Sequence, residues 1–475
     1  MLAVAIGVYM ATLDGSIVNI SLPTIKEHFQ SQWSTIQWVA MAYLLTIAVL
    51  LLAAGRLADL LGRRGVYVTG LALFTVGSLL CGLSQDPSHL IASRVLQGVG
   101  SALVMANGPA IVTAVFPGSQ RGLGMGIIGA VVSAGLVSGP PLGGLIAGSA
   151  RLGWPWIFFI NVPIGICAVL LAMFALRGLA KPATAGRFDF LGAVLLLACL
   201  GCLLLALSMG QERGWTSPFI LWLLAGFGAA LVLFSVLEVA QRHPLLDFAL
   251  FRSRMFSTAS AAGLLGATSG MAMVFLMPFY LELVLGMETR LAGLVLASVP
   301  ACTALMSPAS GALSDRIGTR TPTVLGMSLA CLALVWLSRL GTQAEAADVV
   351  PRLMLFGFGL GMFGSPNNSA IMGAVPKDRL GTAAGMLALM RVVGQVMGIA
   401  VSGAVVAATV APGGVAGRAR DILAAAGTPD VLVHGFHNAL LMGAAVAALG
   451  ALASALRGRI SRPARPEEAI SVPGQ

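Results

Sequence analysis

Residues 55–64 read GRLADLLGRR, and residues 311–320 read GALSDRIGTR. Gly55, Leu57, Asp59, Gly62 and Arg64 match Gly311, Leu313, Asp315, Gly318 and Arg320 at a constant shift of 256. Two isolated arginines repeat at nearly that interval: Arg94 with Arg352 and Arg121 with Arg379, each 258 apart. A near-constant offset across separate features argues for a duplicated half-protein rather than for chance.

The sequence around these polar marks is poor in charge. The chain has 475 residues, of which 57% are hydrophobic and 10% charged, against about a quarter charged in an average soluble domain. Runs of about 20 apolar residues are long enough to cross a hydrocarbon core as helices. Such runs fall at roughly 1–25, 34–58, 65–84, 88–115, 120–149, 155–177, 189–210, 218–240, 255–286, 290–313, 321–340, 349–373, 379–410 and 434–456. The first lacks a basic leader and a clear cleavage site and holds a carboxylate at its middle, so it reads as a span rather than a signal peptide. The repeat leaves six runs at each end. The expected fold is therefore all-α, with 14 transmembrane helices: an N-terminal half over 1–177, an inserted two-helix linker over 178–241, a C-terminal half over 242–456 and a tail over 457–475. Parallel six-span halves around a central site are a transporter architecture.

An even number of spans puts both termini on one side. With both in the cytoplasm, the inner segments hold 18 Lys and Arg and the outer segments 7, with Arg94, Arg352 and Arg391 at or inside spans. This is the positive-inside bias. It accounts for the net charge of +10 through short basic loops facing lipid headgroups, so no nucleic acid is implied. The six cysteines all fall within runs. Cys199 and Cys202 have no nearby His or acid and read as packing residues, not as a metal site. No phosphate loop and no nucleophile–base–acid set stands out, which argues against an enzyme. A pore ring, the mark of a channel, is likewise missing from the sequence.

Six segments in order carry a resemblance: LDGSIVNISLP (13–23), QWVAMAYLL (37–45), GRLADLLGRRG (55–65), RVLQGVGSA (94–102), GLVSGPPLGG (135–144) and WPWIFFINVPIG (154–165). Together they resemble the major facilitator superfamily, and more closely its fourteen-span drug:proton antiporter branch. The resemblance implies a monomeric, multi-pass inner-membrane carrier without a cofactor. It would be driven by the proton gradient and work by alternating access on small amphipathic, cationic compounds, with protons and membrane lipid as its other partners. An exporter dedicated to one endogenous metabolite or antibiotic would share every motif. An uptake symporter is disfavoured by the resemblance of 135–144 to the antiporter motif.

The candidate site residues follow from these segments. Asp14 stands mid-span, where a charge costs about 2.5–3.5 kcal/mol on insertion scales. A carboxylate so placed can hold a proton and yield it when a cation arrives; the alternative is a structural carboxylate capped by another span. Arg94 is either an interfacial snorkelling arginine or a buried partner of the first span that biases proton release from Asp14. Asp14, Asn19, Trp38, Tyr43, Asn107, Asn367 and Asn368 are the expected pocket residues, with lipid-facing or packing roles as the alternative for the aromatic ones. Gly55, Asp59, Gly62, Arg63, Arg64 and Asp315 form the expected conformational latch. The resemblance implies that Asp59 meets the other half near Arg379 to Gly385 and that Asp315 mirrors it near Arg121. Gly135, Gly139 and Gly143 share one helix face, with Pro140 and Gly144 completing the antiporter motif. The resemblance implies that this face packs against the other half. Arg391 is the most deeply placed basic residue, and Glu282 is expected near the outer interface.

Overall fold

Backbone polar groups in hydrocarbon must be satisfied within the segment, so apolar runs of this length form helices. A computed structural model describes the chain apart from residues 32, 148–152, 180–188, 215–216, 242–247, 377–378, 411–428 and 458–475. Among the described residues all regular structure is helical. The first half comprises α1 (Leu2–Phe29), α2 (Trp33–Leu61), α3 (Arg63–Gly82), α4 (Pro87–Val115), α5 (Arg121–Ala147), α6 (Trp156–Phe159) and α7 (Asn161–Ala175). The inserted pair is α8 (Phe190–Arg213) and α9 (Pro218–Ala240). The second half comprises α10 (Arg254–Phe279), α11 (Thr289–Leu296), α12 (Ser298–Ile317), α13 (Arg320–Leu337), α14 (Ala346–Gly373), α15 (Leu380–Val410) and α16 (Pro429–Ala455).

Twelve stretches among the described residues are long and apolar enough to cross a membrane. Shorter apolar stretches, Leu2–Val18 of α1 and Phe190–Ala206 of α8, fall on the first and seventh expected runs. The run at 155–177 breaks at Ile160, which separates α6 from α7. Starts follow local chemistry: Asp86 caps α4 by accepting from the backbone N–H of His89, with Pro87 at the first helical position, where its missing N–H costs nothing. Gly62 and Gly318, matched in the repeat, both take positive φ, at 96° and 89°. A side chain there would be strained, so each half uses glycine to turn from one helix directly into the next.

Within the first half α1 packs on α5, α2 on α4 and α3 on α4; within the second, α10 packs on α15, α12 on α14 and α13 on α14. Among the described residues two seams join the halves, α2 with α15, where α4 also touches α15, and α5 with α12, where α14 also touches α5. The inserted α8 lies on α9 and also touches both α2 and α15. Leu196 and Leu200 of α8 share a buried cluster with Leu51 and Leu52 of α2 and with Ala383 and Ala384 of α15. The outer helix α9 exposes Trp222 and Val239, as a helix surrounded by acyl chains does.

Glycine-mediated approaches between the halves gather at the end that carries the repeated motifs. A Cβ on Gly55 would collide with the carbonyl oxygen of Gly381, and one on Gly311 with that of Gly122. Small residues let backbones touch in this way. At the same end a Cβ on Gly385 would stand 2.8 Å from the carbonyl of Leu51, and one on Gly126 2.5 Å from that of Ser307.

Candidate functional site

Arg94 points into the first half two turns along α4 and is only 1% exposed. Its Nε donates to the carbonyl of Val39 at 2.9 Å. Its Nη1 donates to Asp14 Oδ2 and to Gln97 Oε1, each at 2.5 Å. The guanidinium lies 4.0 Å from the centre of the Tyr43 ring and 5.7 Å from that of Phe158. Arg94 is thus neither interfacial nor snorkelling.

Asp14 is completely enclosed. Besides Arg94, its Oδ1 accepts from Gln97 Nε2 at 2.7 Å and from Asn161 Nδ2 at 3.2 Å. Gln97 Nε2 also donates to Ser78 Oγ at 2.8 Å. Among the described residues every side chain that hydrogen-bonds the carboxylate presents an N–H, the complement of its ionised form. A buried ion pair offsets its desolvation only when further hydrogen bonds fill the remaining positions, and this one has them. Asp14 and Arg94 hold their pair across α1 and α4, while α2, α3 and α7 supply Tyr43, Ser78 and Asn161.

The other expected pocket residues fall in several places. Tyr43 is a structural member of this network: its hydroxyl donates to the carbonyl of Ala11 at 2.9 Å and lies 2.9 Å from Ser101 Oγ. Asn107 is fully buried in α4, and its Nδ2 donates to the carbonyl of Leu103 at 2.7 Å. Asn367 is 2% exposed and accepts from Arg457 Nη2 beside Gly263 of α10, inside the second half. Burial pulls the Arg457 guanidinium down to about 10. Tyr43 thus bonds across helices, Asn107 bonds back to its own helix α4, and Asn367 bonds to Arg457 beyond the last helix. Trp38 and Asn368 are half-buried, whereas the Asn19 side chain lies outside the described residues. Glu282 is exposed in a π-helical turn over Tyr280–Val284, and Arg391 is half-buried within α15. Gln97 and Asn161 were missed. Both stand inside apolar runs, and Gln97 follows Arg94 by three residues, on the same helix face.

At the motif end, Asp59 of α2 reaches across to the start of α15. Its Oδ1 accepts from the N–H of Gly381 at 2.9 Å, and its Oδ2 from the N–H of Thr382 at 2.9 Å and the Thr382 hydroxyl at 3.4 Å. Arg63 Nη2 donates to Asp59 Oδ1 at 3.2 Å. Arg64 instead bonds the carbonyl of Met173 at 3.0 Å, within its own half. The repeat places Asp315 of α12 likewise at the start of α5, accepting from the N–H groups of Gly122 at 2.9 Å and Leu123 at 3.0 Å. Each carboxylate fills orphan N–H donors at the positive end of a helix in the other half.

The face of Gly135, Gly139 and Gly143 packs differently from expectation. Cβ atoms there would meet Thr12, Ser16 and Ile17 of α1, so this face joins two helices of the same half. The small face of α5 that meets the other half is instead Gly122, Gly126 and Gly129, against α12. The Pro140 side chain and the surroundings of Gly144 lie outside what the structure describes. Because a Cβ at Gly139 would stand 2.5 Å from Ser16 Cβ, Gly139→Leu should displace α1 two residues from Asp14. Overpacking costs about 1–3 kcal/mol, so the variant should reach the membrane, with a lowered melting temperature in detergent and at least a tenfold loss of transport. Wild-type transport would show that α1 yields there at no cost.

A family model described as Major Facilitator Superfamily matches residues 4–399. The riboflavin transporter RibZ of Clostridioides difficile is 37% identical over 405 residues, covering 84% of this chain and 86% of that protein. The multidrug resistance protein Stp of Mycobacterium tuberculosis is 34% identical over 409 residues, covering 86% of this chain and 75% of that one. Among solved structures, the human organic anion transporter MFSD10 (TETRAN) superposes with a TM-score of 0.65 at 16% identity, over 95% of this chain and 98% of that one; at that identity the likeness concerns the fold alone. The match across the duplicated, all-helical body establishes that the chain belongs to the Major Facilitator Superfamily.

Proposed function

We propose that this transporter exports amphipathic compounds, cationic ones among them, across the inner membrane in exchange for protons. It would do so as a fourteen-span member of the drug:proton antiporter branch. The observation that carries the reading is the enclosed Asp14–Arg94 pair, an ionisable couple at membrane depth in the half that bears the motifs. Ionisable groups held inside spans mark proton and ion pathways. The pair is neutral when Asp14 is ionised and carries one positive charge when Asp14 is protonated. A bound proton therefore opposes a bound cation, and a cation would reach Asp14 only as Arg94 withdraws. The halves, 1–177 and 242–456, would rock about their two seams. Closure at the motif end would correspond to the outward-facing state, with that end in the cytoplasm. The protein would act as a monomer with lipid around it, on the proton gradient and without a cofactor.

A second reading, a carrier dedicated to one compound, is supported by the likeness to a riboflavin transporter. Uptake into everted vesicles energised with a proton gradient, measured for a panel of cationic, neutral and anionic dyes and for riboflavin, separates the two. Transport of several unrelated dyes supports multidrug export, and transport of one compound alone supports the second reading. No gradient-dependent transport of any of them would sink both.

The topology is tested independently. Reporter fusions after Gln475 should register cytoplasm, and insertions within residues 411–433 should register the exterior. An exterior C-terminus would remove the fourteen-span arrangement.

A further inference from the structure

Asn161 makes one contact that the Asp14–Arg94 pair does not require and leaves one atom unused. Its Nδ2 donates to Asp14 Oδ1 at 3.2 Å, while its Oδ1 is buried and, among the described residues, has no hydrogen-bond partner. The residue is 1% exposed and starts α7 just after the break at Ile160. From that position its side chain reaches Asp14, on the same oxygen that Gln97 of α4 bonds.

An ionised carboxylate needs only donors, but a protonated one carries an O–H that needs an acceptor. Gln97 is ill suited to supply it. Its Oε1 already accepts from Arg94, and its Nε2 donates to Ser78 as well as to Asp14. Turning its amide over would break those bonds. Ser78 and Arg94 approach the network as the donor's partner and as a cation, and a guanidinium cannot accept. Asn161 has no second bond to lose. A half-turn about its Cβ–Cγ bond exchanges Nδ2 for Oδ1 without moving the helix. The atom left unpaired changes from Oδ1 to Nδ2, so the penalty for one unsatisfied buried group is present in both orientations.

Resting on the reading that Asp14 takes up the coupling proton, we infer that Asn161 is a positioning residue that follows the protonation state of Asp14. It donates to the carboxylate and, after an amide turn, accepts from the carboxylic acid. The proton added to Asp14 stays on that carboxyl group throughout, and Asn161 gains and loses none. Without this residue the neutral acid would be an unmatched donor in a closed site, and the protonated half of the cycle would be disfavoured.

The test is infrared difference spectroscopy between high and low pH on the full-length protein in liposomes. Wild type should show a carboxylic-acid C=O band that Asp14→Asn abolishes. If no such band exists, Asp14 is not the protonated group, and the underlying reading fails by itself. Given the band, Asn161→Leu should move it to higher wavenumber, because the acid loses its acceptor. Asn161→Ser, which keeps a group able to donate and accept, should return it toward the wild-type position. A band unmoved in Asn161→Leu overturns the inference. Should that variant fail to fold, wild type with 13C-labelled asparagine amides decides the matter. On acidification one amide C=O band, missing from Asn161→Ser, should shift to lower wavenumber and should stay fixed in Asp14→Asn. A static amide band in wild type overturns the inference equally.

Discussion

Asp14→Asn should abolish proton release on substrate addition and should also destabilise the protein. The amide cannot exchange the coupling proton, so gradient-driven export is lost. Removing the carboxylate also strands Arg94, which is 1% exposed. Breaking a buried pair by deleting one partner typically costs about 3–5 kcal/mol. Val39, Gln97 and the Tyr43 ring still hold the guanidinium, but none of them neutralises it. From sequence alone the variant is expected to fold and insert, since the substitution removes a buried charge. The Asp14–Arg94 pair adds a cost, because the charge removed is the compensating one. The double variant Asp14→Asn with Arg94→Gln should recover most of the lost stability without recovering coupling. Melting in detergent and proton release into a weakly buffered solution containing a pH-sensitive dye read the two effects separately. Proton release at the wild-type level in Asp14→Asn would move the coupling carboxylate elsewhere, and the exposed Glu282 would be tested next.

Asp59→Asn should slow turnover by at least tenfold while leaving substrate affinity nearly unchanged. Asp59 is 7% exposed and spends both oxygens on the first N–H groups of α15 and on Arg63. Hydrogen bonds to a charged group contribute about 1.5–3 kcal/mol each, and the helix end adds to the attraction. An asparagine presents one acceptor and one NH2 group, and the NH2 group would oppose a backbone N–H. A loss of about 1.4 kcal/mol shifts a two-state equilibrium tenfold, and the shift falls on the closed motif end alone. Asp315→Asn should have a milder effect. Asp315 is half-exposed and accepts from two backbone N–H groups at the start of α5. Initial rates of dye transport at saturating dye, with binding measured in parallel, check both variants. Wild-type turnover in Asp59→Asn would reduce the motif to a topology signal.

The sequence by itself determined the helical class, the duplication and the positions that must come close. Charge-poor runs leave the backbone no choice but helix, and the repeated GRLADLLGRR and GALSDRIGTR segments mark equivalent turns, visible in the positive φ of both Gly62 and Gly318. Asp14 was conspicuous because a carboxylate mid-span requires a reason. Tertiary structure alone decided the partners. A stripe of glycines on α5 says that another helix comes near, and nothing in its spacing says which one. Gly135, Gly139 and Gly143 met α1, while Gly122 and Gly126, on the same helix, met the other half. Polar residues inside apolar runs are equally mute about direction: Tyr43 and Asn367 turned inward to satisfy neighbours, and Gln97 and Asn161 converged on Asp14 from helices far apart in the chain. The physical reason is common to all of these. Hydrophobic periodicity and backbone satisfaction are local properties of a segment, whereas the choice of neighbour depends on which helix surfaces fit together and on which buried donors must find an acceptor.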